Sequence, residues 1–86
     1  MHTVDLLEQA LELATSLGYQ VRQDWLGGSG GGACQLKGQK WLFIDLASSP
    51  LEQLDQVAEA LRNDPAVLGL SLSPPLARLL DLRKTA

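Results

Sequence analysis

The chain is poor in the residues from which reactive sites are built. It contains one cysteine, Cys34, and one histidine, His2, so it can close no internal disulfide and offers no ligand set for a structural zinc. A reducing cytoplasm is the expected compartment, and no metal or cofactor is expected. No apolar run approaches the roughly 18 residues that span a bilayer. Met1-His2-Thr3 leads directly into helical periodicity, with neither a basic nor an apolar leader, so no signal peptide is expected. Positive charge is also scarce. Seven Lys and Arg stand against ten Asp and Glu, a net charge of −3. Residues 1–18 and 49–64 each carry −3, while 19–46 carry +1 and 65–86 carry +2. Two acidic helices would repel a phosphate backbone over much of the surface, which disfavours nucleic acid as a partner.

What is present describes an ordinary folded domain. A hydrophobic share of 45% and a charged share of 20% exclude disorder. The 86 residues, 1–86, suffice for a single small domain. A chain of this size buries only about 60–65% of its unfolded surface, so self-association would help to stabilise it.

Read in order, Val4 to Leu17 is predicted helical. Leu6, Leu7, Ala10, Leu11, Leu13, Ala14 and Leu17 fall on one stripe, and Gly18 supplies a stop. Tyr19 to Trp25 changes to a period of two and predicts a strand with Tyr19, Val21 and Trp25 on one side. Five glycines then occupy six positions, Gly27 to Gly32, broken only by Ser29, before alternation resumes over 33–37. Gly38-Gln39 suits a two-residue turn with glycine first, of type II′. Trp41 to Leu46 is apolar on both faces apart from Asp45 and reads as an interior strand. This register sets Leu36 opposite Trp41, Cys34 opposite Phe43 and Gly32 opposite Asp45 on one face, with Gln35–Leu42 and Ala33–Ile44 on the other.

Ser49-Pro50-Leu51-Glu52 is a capping box with proline at the first helical position, ahead of a face formed by Leu51, Leu54, Val57, Ala58 and Leu61. Asn63-Asp64-Pro65 ends that helix. Val67 to Leu72 suggests a fourth strand, and Ser73-Pro74-Pro75 starts a last helix with Leu76, Leu79, Leu80 and Arg83 on one stripe. The expected fold is an α+β two-layer sandwich, α-β-β-β-α-β-α. An antiparallel three-stranded meander is extended by a fourth strand through a right-handed helical crossover, in strand order 1-2-3-4.

No set of residues commits to a chemistry. Gly28-Ser29-Gly30-Gly31-Gly32-Ala33 can be written G-x-G-x-x-A, and such backbones can cradle anions. A dinucleotide fingerprint, however, opens a helix, whereas this run precedes a strand; the lysine of a phosphate-binding loop is absent too. A flexible hairpin connection whose glycines relieve steric conflict or allow close backbone approach is the simpler expectation. Cys34 lacks a nearby base, and burial against Phe43 is its expected role. Asp45 reads as a loop-bonded carboxylate or a functional acid, and without a second carboxylate beside it the structural role is expected.

Two functions follow. The first is a small non-enzymatic binding or assembly module acting through a sheet face and the glycine-rich loop. Its partner is expected to be a second copy of the chain, with another protein as a further possibility. Leu36, Trp41 and Phe43 would form the interface, because an aliphatic face of Leu42, Ile44 and Leu46 suits the helices and leaves the aromatic face open. The second is an anion- or nucleotide-binding or thiol-dependent unit using Gly28, Ser29, Gly30, Gly31, Cys34 and Asp45.

Overall fold

Helix α1, Thr3–Ser16, hands over to strand β1, Tyr19–Asp24, through Gly18, whose φ of 96° only glycine takes without strain. β2, Gly32–Leu36, and β3, Gln39–Asp45, form a hairpin, and α2, Pro50–Arg62, follows. A 3-10 helix, Pro65–Gly69, and α3, Pro74–Leu80, complete the elements of this computed structural model, which describes residues 3–28 and 31–80. Arg83, expected on the last helix, lies outside the described residues.

The fold is α+β, with helices layered on one mixed sheet. The strand order is β1-β3-β2, with β3 parallel to β1 and antiparallel to β2. The doubly apolar strand is central, as its sequence implies. The meander is not formed, because β1 pairs with β3 rather than with β2. The reason is local to Asp45 and Gly31, which hold the glycine-rich connection across the C-terminal end of β3 and so deliver β2 to its far side.

The hairpin also departs from expectation. Lys37 and Gly38 are the turn residues, with φ of 52° and 78°, and glycine takes the second place of a turn with two positive φ values. Leu36 therefore pairs with Gln39, Cys34 with Trp41 and Gly32 with Phe43. The slip relative to the predicted register is two residues, which keeps every side chain on its expected face.

The helices pack on a single face of the sheet. Leu42 and Ile44 of β3 are fully buried in one cluster with Ala10 and Ala14 of α1, Leu54, Val57 and Leu61 of α2, and Leu76 and Leu80 of α3. Tyr19 and Val21 of β1 pack against the same cluster, which Trp41 and Phe43 do not join. The aliphatic half of β3's alternation thus selects the helix side.

α2 begins as the sequence indicates. Ser49 Oγ accepts from Glu52 N at 3.2 Å, and Ser49 N donates to Glu52 Oε1 at 2.8 Å. The expected fourth strand is replaced by the 3-10 helix, which Asp64 caps by accepting from Ala66 N at 2.9 Å. Both edges of β3 are already taken, and Val67 alone of this run is buried while Leu68 and Leu70 remain 60% and 40% exposed. The segment serves as a plug under one core residue.

Candidate functional site

Three features flank the sheet, and each follows from how its strands end. The first is the crossing loop. Asp45 closes β3 fully buried, and its carboxylate accepts from Leu26 N at 3.0 Å, Gly28 N at 2.9 Å and Ala47 N at 2.9 Å. Asp45 N donates to Gln56 Oε1 of α2 at 3.4 Å, and Leu46 N donates to Asp24 O at 2.8 Å. A side chain on Gly31 would run into the carbonyl oxygen of Phe43, so the loop passes β3 in backbone contact that only glycine permits. Gly31 is required by this crossing, and Gly27 and Gly28 take positive φ of 69° and 83° that favour glycine. Asp45 is the loop-bonded carboxylate, and the amides of Leu26 and Gly28 already have an internal anion as partner. Ser29 and Gly30 lie outside the described residues.

The second feature is a cavity of about 470 Å³ between the start of β2 and α2, lined by Gly31, Gly32 and Ala33 on one side and by Gln56, Glu59 and Asn63 on the other. Glu59 is the one charged group among its lining residues, so the cavity has the wrong sign for a phosphate. Tyr19 also reaches it. The Tyr19 hydroxyl donates to Asp64 Oδ2 at 2.8 Å, Lys40 Nζ lies 3.0 Å from the same oxygen, and Lys40 stands 4.8 Å from the centre of the Tyr19 ring. Burial, and then the hydrogen bond to Asp64, push the Tyr19 phenol up to about 12. The amide of Ala66, ahead of Lys40 and Tyr19, holds the Asp64 carboxyl below its ordinary range. This cluster ties the end of α2 to the beginnings of β1 and β3. Sequence reading missed it: Asp64 is legible as a helix stop, but no local pattern joins it to a tyrosine 45 positions earlier.

The third feature is the open face of the sheet. Trp41 and Phe43 stack with ring centroids 5.9 Å apart and planes 12° from parallel. β2 sets Cys34 directly opposite Trp41, with Leu36 farther along the same face, 55% exposed. β1 contributes Gln20 and Arg22 at the positions paired with Trp41 and Phe43, and Arg22 Nε lies 2.8 Å from Asp24 Oδ2. Leu36, Trp41 and Phe43 therefore share one face. Of the other aromatics, Tyr19 faces the helix layer, and Trp25, past the end of β1, is 75% exposed rather than aligned with Tyr19 and Val21.

Two expectations for Cys34 are corrected. It is exposed, because it lies on the edge strand β2, opposite Trp41 rather than Phe43, on the sheet face away from the buried cluster of the described residues. The two-residue shift leaves it four residues of β3 away from Asp45, about 13 Å along the strand, so the thiol and the carboxylate do not share a site. Among the described residues no three or more His, Cys, Asp and Glu gather to hold a metal, and no helix is long and apolar enough to cross a membrane. Comparison of the chain with models of protein families, with curated proteins and with solved structures finds no match.

Proposed function

We propose that the protein is a small, non-enzymatic assembly module of the cytoplasm, and that its working surface is the open sheet face together with the glycine-rich crossing at its end. One observation carries this: the buried apolar residues among those described gather on one side of the sheet, while the stacked Trp41–Phe43 pair, Leu36 and Cys34 stand on the other. Aromatic residues are enriched at the cores of protein interfaces relative to the rest of the surface. The occupant is a second copy of the chain. Three strands about 4.8 Å apart and about five residues long present roughly 250 Å² in projection, against about 800 Å² of accessible surface per partner in a standard interface. The face accordingly forms the middle of the contact, and exposed flanks such as Trp25 complete it. Anion binding has less support, because Asp45 engages loop amides and Glu59 lines the adjoining cavity.

Sedimentation at micromolar concentration, with Trp41→Glu as the variant, tests this. The parent should associate, and the folded variant should fall to a smaller species. A parent that is monomeric, or a folded variant that associates as the parent does, refutes the face as the interface.

A further inference from the structure

We propose that two copies of the chain also join edge to edge along β2, antiparallel about a twofold axis, with Cys34 facing the partner's Cys34. The inference rests on the proposed self-assembly but uses a different surface. β2 is a sheet edge: among the described residues its one strand partner is β3, and Ala33 to Leu36 are all exposed. Folded proteins guard such edges with charge, proline or a bulge. β2 has none of these, its sequence being Gly-Ala-Cys-Gln-Leu and its pairing with β3 unbroken. The opposite edge, β1, carries the Arg22–Asp24 ion pair.

The turn determines which backbone groups the edge offers. In a two-residue hairpin with both turn φ values positive, the flanking residues, here Leu36 and Gln39, form a hydrogen-bonded pair, and the pairs alternate from there. Gly32, Cys34 and Leu36 thus direct their N–H and C=O groups toward β3, while Ala33 and Gln35 direct theirs outward. Two outward residues with Cys34 midway between them are self-complementary. Ala33 opposite the partner's Gln35, and Gln35 opposite the partner's Ala33, satisfies all these groups, uses the full length of β2 and brings no two charges together. Cys34 then meets its equivalent in a non-hydrogen-bonded pair with Cα atoms about 4.5 Å apart, within disulfide reach. The twofold axis runs perpendicular to the sheet, so both copies keep their helices on one side. The aromatic face becomes continuous across six strands, and a second such sheet stacked on it yields a four-chain assembly of closed symmetry.

Gln35→Pro tests the pairing. It removes an N–H that β3 does not use, and proline is tolerated on an edge strand. The same group is lost from both copies, so the edge contact should weaken by about tenfold or more while the circular dichroism spectrum stays that of the parent. Independently, copper-phenanthroline, which takes up the two electrons as two thiols release their protons, should link the parent into a covalent dimer through Cys34. A Cys34→Ser, Leu36→Cys chain should not link, its thiols being offset along the antiparallel pair. A monomeric parent, a folded Gln35→Pro chain that associates undiminished, or Leu36→Cys linking as fast as Cys34 overturns the proposal. If Gln35→Pro unfolds, the cross-linking comparison decides. Association weakened by Trp41→Glu but not by Gln35→Pro retains the face and removes the edge; the converse removes the face.

Discussion

Asp45→Ala is expected to cost this protein a large part of its stability, because one side chain holds the crossing that sets the sheet order. Three backbone N–H groups, those of Leu26, Gly28 and Ala47, donate to its carboxylate at 2.9–3.0 Å. Hydrogen bonds to a charged acceptor contribute about 1.5–3 kcal/mol each. The loop is only partly buried, and water reaching the freed amides recovers some of this, so about 3–5 kcal/mol in total is the expected loss. At about 0.05–0.15 kcal/mol per residue, a chain of 86 residues has some 4–13 kcal/mol to lose. Asp45→Asn keeps one acceptor oxygen but turns an amide donor toward amide donors, and is expected to fall between the two. Urea denaturation at a single fixed protein concentration, read by fluorescence of the neighbouring Trp25 and of Trp41, measures both variants. Amide exchange at Leu26 and Gly28 should accelerate in the alanine variant. A loss under about 1 kcal/mol for Asp45→Ala, with those amides still protected, would refute the role assigned to the carboxylate.

Two further predictions concern single groups. Gly31→Ala should destabilise the fold by about 2–3 kcal/mol, since the added carbon meets the Phe43 carbonyl and one backbone must yield; an unchanged urea midpoint would mean that the loop does not cross there. Tyr19 is the sole tyrosine, so ultraviolet titration of the phenolate reads it alone, and it should ionise near 12. Its folded-state value lies above the unfolded one of about 10, so its contribution to stability is complete below pH 10 and is lost as pH rises through about 12. Asp64→Asn should lower the Tyr19 value only in part, because burial is the larger cause; an ionisation at the ordinary value in the parent would refute the partly buried hydrogen bond.

Local patterns were sufficient where local physics decides. The stripe of α1, the Gly18 stop and the Ser49–Glu52 capping box concern contacts within a few residues, and each is where the sequence places it. The alternation of β3 decided which sheet face the helices cover, since only Leu42 and Ile44 offered an all-aliphatic side. The same alternation brought Leu36, Trp41 and Phe43 onto the opposite face even though the register moved, because a shift of two residues preserves the side of every residue.

Non-local choices were beyond sequence reading. A glycine run between two strand patterns is equally compatible with a hairpin and with a crossing, and the choice depends on where Asp45 finds donors and on the approach of Gly31 to Phe43. Once the loop crosses β3, β1 and β2 occupy both its edges, and Val67 to Leu72 has no place beside it. The exposure of Cys34 and the Tyr19–Asp64–Lys40 cluster were settled in the same way, by elements distant in the chain. The sequence by itself determined, for the described residues, the three α-helices, the three strands that form the sheet and the sides of that sheet, because those depend on periodicity and on contacts between near neighbours, though not the fate of Val67 to Leu72. Tertiary structure alone decided strand order, the turn and what the open face presents, because these depend on which buried carboxylate and which backbone meet across the fold.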